Sequence, residues 1–257
     1  MSAAANESNG RTPVQQRALV IVPTFNERDN ILEVVERLMA AGDDLDVLFV
    51  DDASPDGTSA LIEQLALSEE RIHLLCRPRK MGLGTAYVTG FGWGLEQGYS
   101  ALVEMDADLS HDPADVPRLL GALERADLTI GSRYVPGGGV ENWGRLRRAL
   151  SRSANLYARW MLGFEVRDST SGFRAFRPAT LERIDYGNLA TEGYGFQIET
   201  TRRVRLRGGL IEELPIVFVE RVRGRSKMTF RIVVEALVAV ARWAISDRLA
   251  RRPPTPP

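Results

Sequence analysis

The sequence predicts an α/β fold with a mostly parallel sheet flanked by helices. Short, continuously apolar runs alternate with segments whose apolar residues recur at helical spacing. Runs without polar alternation suit strands buried on both faces of a parallel sheet. Three of these runs also end in polar or acidic clusters, and ligands of such folds bind beyond the carboxyl ends of the strands.

The elements follow in order. Residues 18–22 are a first apolar run, stopped by Pro23. Residues 30–41 carry Ile31, Val34, Val35 and Leu38 at helical spacing. A second strand spans 47–50, and a second helix begins near Thr58 with Leu61, Ile62 and Leu65 on one face. A third strand covers 72–76, a glycine-rich helix about 83–98, a fourth strand 101–105, and a fifth lies near 128–130. The pattern then loosens at Gly137-Gly138-Gly139, which marks a flexible loop. A basic helix is predicted over 145–162, a strand over 211–220 and a long helix over 229–249.

Composition narrows the function classes. The chain has 257 residues, 44% hydrophobic and 26% charged, as a folded soluble domain has. One cysteine excludes an intramolecular disulfide framework and a cysteine-built zinc site, and two histidines exclude a histidine-rich metal cluster. No run of about 18 uninterrupted apolar residues suggests a transmembrane helix. The first ten residues lack the apolar core of a signal peptide. Residues 1–16 and 251–257 are predicted to be disordered ends around one domain over 17–250.

The net charge of −1 conceals an asymmetry. Residues 1–128 hold 10 Lys+Arg against 22 Asp+Glu, and residues 129–257 hold 23 against 12. An acidic first half suits metal ions, and a basic second half suits phosphates, anionic lipid or nucleic acid. The plainer alternative is that the halves attract each other. No zinc finger, basic zipper or aromatic RNA-binding signature supports a nucleic-acid partner.

The strand ends carry the chemistry. The first ends in Pro23-Thr24-Phe25-Asn26-Glu27, the second in Asp51-Asp52-Ala53-Ser54-Pro55-Asp56-Gly57-Thr58, and the fourth in Met105-Asp106-Ala107-Asp108-Leu109-Ser110. Asp106 and Asp108 are two apart, and in an extended segment such side chains point the same way. Two carboxylates facing one spot repel unless a cation sits between them, and Mg²⁺ or Mn²⁺ fits beside substrate phosphates. The alternative is that they cap a helix opened by Pro113 and Asp115. Asp56, in Asp-Gly-Thr, is equally well read as a turn residue. Lys80-Met81-Gly82-Leu83-Gly84-Thr85-Ala86 has neither Rossmann nor P-loop spacing.

Together these motifs resemble the family 2 glycosyltransferases of the GT-A fold, and within them the polyprenol- or dolichol-phosphate mannosyltransferases. Gly131-Ser132-Arg133-Tyr134, Gly139-Val140-Glu141-Asn142-Trp143, Asp168-Ser169-Thr170-Ser171-Gly172-Phe173-Arg174 and Arg223-Gly224-Arg225-Ser226-Lys227-Met228 extend the resemblance over about residues 18–230.

The resemblance implies transfer of mannose from GDP-mannose to a polyprenyl phosphate, with inversion and a divalent cation. A UDP-sugar donor on the same fold is the alternative. It places residues 17–130 on the donor and 131–250 on the acceptor and membrane. GDP contacts map onto Pro23, Phe25 and Glu27, with Phe25 standing where the family usually has Tyr. Asp52 supplies the second-strand carboxylate, and Asp56, Gly82 and Ala107 complete the nucleotide-sugar set. Asp106 and Asp108 map onto the metal pair, with Ser110 where some members carry a Gln ligand. Arg133, Arg147 and Ser151 map onto the acceptor phosphate. Arg223, Ser226 and Lys227 map onto a loop that closes over the donor diphosphate.

Arginine forks match phosphate oxygens in pairs, and Arg147 and Ser151 are four apart on one helix face. Arg145, Arg148 and Arg152 on that helix are read as a solvated or lipid-facing side. Residues 230–249 are apolar but interrupted by Arg231, Glu235, Arg242, Asp247 and Arg248, giving an amphipathic helix that lies on a membrane or against the core. A peripheral location on the cytoplasmic face, direct or through a membrane-protein partner, follows from the lipid acceptor.

Overall fold

A computed structural model describes residues 17–189, 191, 193–220 and 230–250. The predicted disordered ends, 1–16 and 251–257, and the 221–229 segment holding Arg223, Ser226 and Lys227 lie outside the described residues.

The apolar runs assemble one seven-stranded sheet. Strand β1 (Ala18–Thr24) is followed by helix α1 (Arg28–Ala41), β2 (Leu45–Asp51), α2 (Thr58–Ala66), β3 (Ile72–Cys76), α3 (Leu83–Glu96) and β4 (Ala101–Glu104). After a short 3₁₀ turn come α4 (Val116–Ala122), β5 (Leu128–Ser132), β6 (Gly139–Glu141) and α5 (Arg145–Leu162). The chain continues through β7 (Arg174–Phe176), α6 (Pro178–Arg183), α7 (Tyr194–Leu206), β8 (Ile211–Pro215), β9 (Val217–Val219) and α8 (Phe230–Ala250).

The main sheet runs β3-β2-β1-β4-β7-β5-β8, and β6 pairs with β9 in a separate two-stranded sheet. All pairings in the main sheet are parallel except those of β7, which is antiparallel to β4 and β5. The register sets Thr24 opposite Asp51, and Asp51 opposite Cys76. Ile21 stands opposite Glu104, so the turn after β4 emerges beside the end of β1. One sheet edge therefore collects the polar strand ends.

Both sheet faces are covered. On one, Val20, Val22, Val47 and Phe49 pack with Ile31, Val34 and Leu38 of α1, Ile62 of α2 and Leu119 of α4. On the other, Leu19, Ile21 and Leu48 pack with Tyr87 and Phe91 of α3, Leu162 of α5, Phe196 of α7 and Val240 of α8. Full burial on both sides is why β1 and β2 read as unbroken apolar runs. The glycines of α3 have a packing reason: a Cβ on Gly90 would lie 2.5 Å from Ile21 Cγ2, so its absence lets the helix settle on β1.

Three differences from the sequence reading have physical causes. The predicted 211–220 strand is two strands in different sheets, β8 and β9, with Ile216 between them. Strand β7 carries a fully buried arginine, Arg174, which no apolar pattern reveals. Its guanidinium donates to the Ser169, Ser171 and Gln197 carbonyls and to the Thr200 and Thr201 hydroxyls. Burial draws its pKa down to about 10, so it stays charged near neutrality. Finally, β4 ends at Glu104, and residues 107–110 form a turn rather than a strand extension.

No described helix is long and apolar enough to cross a membrane.

Candidate active site

At the end of β1 and β2, carboxylates organise the loops. Asp51 is fully buried and accepts from Thr24 Oγ1 (2.7 Å), the Ser54 amide and hydroxyl, and Ser59 Oγ (2.6 Å). It is a brace for the loop. Asp52 turns the other way, pairs with the buried Arg77 guanidinium and accepts the Met81 amide at 3.1 Å. Arg77 also donates to Thr85 Oγ1 and the Gly82 carbonyl, so Asp52 and the start of α3 are tied through one side chain. Gly82 sits there at φ +102°, a conformation that favours glycine.

Asp56 has a capping job. One oxygen accepts from the Thr58 amide and hydroxyl, the other from the Arg28 amide. Burial opposes its ionisation, but these hydrogen bonds prevail and hold its pKa below the usual value. Glu27 is buried, its amide donating to Thr58 Oγ1 and its carboxylate accepting from Asn30. Pro23 and Phe25 are half-buried at the same edge, and Lys80 Nζ lies 4.4 Å from the centre of the Phe25 ring.

The turn after β4 holds the two aspartates. Leu109 at φ +60° folds the chain back, and Asp108 Oδ1 accepts the Ser110 amide at 3.0 Å. The reasoning from extended i, i+2 geometry therefore does not apply to Asp106 and Asp108. Their charges nonetheless converge on the buried Tyr87 hydroxyl. Burial first, then Asp106, Glu104 and Asp108, raise the Tyr87 pKa far above its ordinary value. The phenol stays protonated and points its oxygen at Asp106 Oδ1, 3.5 Å away.

Capping does not explain these aspartates: the 3₁₀ turn at Pro113 is capped by Asp112, which accepts the Ala114 amide. Ser110 Oγ is buried with no hydrogen-bond partner. Two carboxylates and an orphaned hydroxyl are hard oxygen donors of the type Mg²⁺ or Mn²⁺ takes. Among the described residues no group of three His, Cys, Asp or Glu forms a closed metal site. A cation here would draw its other ligands from water and phosphate. Ala107 is buried between the two aspartates in sequence. His111 stacks on Phe173, with ring centres 5.0 Å apart, and burial lowers its pKa to about 4, so the ring is neutral at pH 7.

Across the cleft, an aromatic chain links this turn to the arginines. His111 meets Phe218 edge-on at 5.2 Å, and Phe218 meets Trp143 at 5.4 Å. Arg133 lies over Trp143 and Phe218, and Arg147 lies 4.2 Å from the Trp143 ring centre. Ser151 Oγ accepts from the Tyr134 hydroxyl at 2.7 Å. Arg133, Arg147 and Ser151 are thus joined through Trp143 and Tyr134. Arg147 also pairs with Glu220.

Arg133 carries a partner that sequence reasoning missed. Its Nε and Nη2 grip both oxygens of Asp168, at 2.7 and 2.6 Å, and its backbone amide binds Oδ2 as well. Both residues are buried. Burial opposes both charges, but the mutual attraction prevails, raising the Arg133 pKa and lowering that of Asp168. One edge of the guanidinium is therefore committed, and Nη1 is the edge left for a ligand. The 168–174 segment was visible as a motif, but nothing in it indicated a partner 35 residues upstream. Arg77 and Tyr87 were likewise missed. Their signal was position: each sits within ten residues of Gly82 or Gly84, at the start of the helix that borders the site.

The sheet, its acidic edge and the facing arginines define an enzyme with a nucleotide-sugar transferase fold of the GT-A type. The chain belongs to glycosyl transferase family 2, whose model matches residues 19–185. It is 49% identical over 249 residues to a polyprenol monophosphomannose synthase of Mycolicibacterium smegmatis, covering 96% of this chain and 94% of that protein. It is 50% identical over 232 residues to an undecaprenyl-phosphate mannosyltransferase of Micrococcus luteus, covering 90% and 96%. Among solved structures, glucosyl-3-phosphoglycerate synthase from Mycobacterium tuberculosis with UDP superposes at a TM-score of 0.63, with 21% identity over 89% of this chain and 80% of that one. A mannosyltransferase from Pyrobaculum calidifontis, in complex with GDP-Man and Mn²⁺, does so at 0.55 with 17% identity, covering 94% and 78%. At such identities these two structures speak for the fold.

Proposed function

We propose that this enzyme transfers mannose from GDP-mannose to a polyprenyl phosphate, with inversion, and depends on Mg²⁺ or Mn²⁺. The observation that carries the reading is the Asp106–Asp108 turn joined to Arg133 and Arg147 through His111, Phe218 and Trp143, and from Arg133 to Ser151 through Tyr134. In this reading the turn is the cation-binding edge and the arginines are the phosphate-binding one. The names of the two half-identical relatives supply the sugar and the lipid class.

In this reading residues 17–250 form one catalytic unit, with 17–130 on the donor and 131–250 on the acceptor. Pro23, Phe25, Glu27, Asp52, Asp56 and Gly82 border the nucleotide, and Phe25 offers a ring without a hydroxyl. Asp106, Ala107 and Asp108 meet the diphosphate, and Asp106, Asp108 and Ser110 hold the cation. When bound, the cation neutralises the charge that builds on the leaving diphosphate. Arg133 and Arg147 shield the acceptor phosphate and Ser151 orients it. Arg223 and Lys227, outside the described residues, are assigned to the donor diphosphate by resemblance.

The acceptor phosphate is already an anion at neutral pH, so no general base is required. Positioning and charge shielding suffice. An acceptor oxygen forms the new bond to the anomeric carbon as the bond from that carbon to the GDP β-phosphate oxygen breaks. The electron pair leaves with GDP, no proton moves, and a β-mannosyl phosphopolyprenol results.

The lipid acceptor implies a membrane surface. Leu146, Leu150, Leu156 and Trp160 of α5, and Val238, Ile245 and Leu249 of α8, are exposed. We assign this apolar face, rimmed by the arginines of α5, to the cytoplasmic surface of a membrane, reached directly or with a membrane-protein partner.

The deciding experiment measures radiolabelled sugar transfer from GDP-mannose to polyprenyl phosphate with Mg²⁺, Mn²⁺ or EDTA, beside a UDP-glucose control. Cation-dependent labelled lipid from GDP-mannose alone supports the donor, the acceptor class and the need for a cation. Label from UDP-glucose instead replaces the donor.

A further inference from the structure

A second basic cleft lies between α5 and the 134–138 loop, with a volume of about 670 Å³. Arg133 forms its inner wall, and Arg152, Arg159 and Arg167 line the rest with Asn155 and Leu156. Arg152 and Arg159 are seven residues apart on α5, hence two turns apart on one face. The ring of Tyr134, 5.9 Å from the Arg152 guanidinium, helps to place that side chain.

Apart from Arg133, these cations have no ion-pair partner among the described residues. Among the described residues none pairs with Arg152, Arg159 or Arg167, and the Nε of Arg159 is buried without a hydrogen-bond partner. Two neighbouring carboxylates are engaged elsewhere. Asp168 holds the Arg133 fork, and Glu213 accepts the Arg167 and Asp168 amides. Like charges gathered without a counter-charge call for an anion, and arginine forks match phosphate oxygens in pairs.

The rim indicates how that phosphate is carried. Leu156 lines the cleft and is 63% exposed, and Trp160, one turn on, is 73% exposed. A free phosphate would need no such apolar border, whereas a phosphate attached to acyl chains would. We propose that this cleft binds the phosphate of an anionic lipid, as a second phosphate site beside that of the acceptor. The lipid source rests on the membrane reading given above; the anion site rests on the arginines alone.

The test is sedimentation of the full chain with phosphatidylcholine vesicles, with and without phosphatidylglycerol. The cleft variant R152Q/R159Q is compared with R145Q/R148Q, which removes equal charge from the same helix outside the cleft. R167Q, an exposed position on another segment, is a second cleft variant. Calorimetry with soluble glycerol 1-phosphate is the free-phosphate arm. The cleft variant should lose roughly 30-fold of the preference for phosphatidylglycerol, the control far less, and R152K/R159K should recover only part because lysine lacks the fork.

Equal losses in cleft and control variants would overturn the site in favour of diffuse charge. Glycerol 1-phosphate bound by the wild type as tightly as the vesicles would overturn the lipid assignment. Mannosyl transfer to a short-chain polyprenyl phosphate in detergent should be unchanged in R152Q/R159Q. Absence of that transfer in the wild type would count against the proposed function and leave the vesicle result standing.

Discussion

Asp168 shows how much one buried side chain can carry. It neutralises Arg133, orients the fork by two hydrogen bonds and accepts a third from the backbone amide. Asp168→Asn leaves a buried guanidinium without its counter-charge, and breaking such a pair costs about 3–5 kcal/mol. Urea denaturation at pH 7 should show that loss. The pH dependence follows from the direction of the shift. The folded carboxyl has a pKa below the unfolded value of about 4. Its contribution is complete above that value and is lost as pH falls through the folded pKa. The variant's stability should therefore fall less steeply in acid than the wild type's. Asp108 makes a separate prediction. Asp108→Ala should lower kcat at least about 100-fold under saturating cation, with the urea midpoint changed little; steady-state kinetics beside denaturation separates the two effects. The Asp106–Asp108 pair was legible because carboxylates after an apolar run stand out. The Arg133–Asp168 pair was not, because 35 residues separate its members and only the fold brings them together.

Elements were legible where their pattern was long enough to show a period. Helix α5 has the bounds its sequence predicted, Arg145–Leu162, and β3 its predicted span, Ile72–Cys76. Strand β7 has three residues and a buried charge, so neither period nor hydropathy could reveal it. Helix α7 escaped for a related reason. It buries Gln197, Glu199, Thr200 and Thr201, polar groups that serve Arg174, Glu104 and the Thr191 segment instead of facing solvent. Glycine content in α3 pointed to weak helix propensity, yet the helix forms because close packing on β1 offsets it. That account makes paired predictions. Gly90→Ala puts a Cβ within 2.5 Å of Ile21 and should destabilise by about 1–3 kcal/mol. Gly121→Ala in α4 meets nothing within 4 Å and should stabilise by up to about 1 kcal/mol. Thermal melts of both variants should move in opposite directions. If both stabilised, packing would not be the reason for glycine at position 90.

At the scale of the whole molecule, the charge asymmetry of the sequence has become a division across one cleft. The acidic turn after β4 and the loops after β1 and β2 lie at one sheet edge. Arg133, just after β5, and Arg147 of α5 reach it from the other side through Trp143 and Phe218. On the arginine side each cation has a carboxylate partner from the second half of the chain: Arg133 is paired with Asp168 and Arg147 with Glu220. Because Arg133 and Arg147 are held by carboxylates of their own half, the proposed function predicts that donor and acceptor binding can be altered independently. In the proposed reading Arg147→Ala removes a charged contact to the acceptor phosphate, a loss of roughly 1.5–3 kcal/mol. It should raise KM for polyprenyl phosphate about 10- to 100-fold and leave the Kd for GDP within about twofold. Glu220→Gln frees Arg147 from its exposed partner and should lower KM for the lipid. Titrating each variant with GDP by calorimetry and with lipid by initial rates reads both sides. A large change in GDP affinity in Arg147→Ala would show the two sides acting as one electrostatic unit and would return the charge asymmetry to a purely structural role.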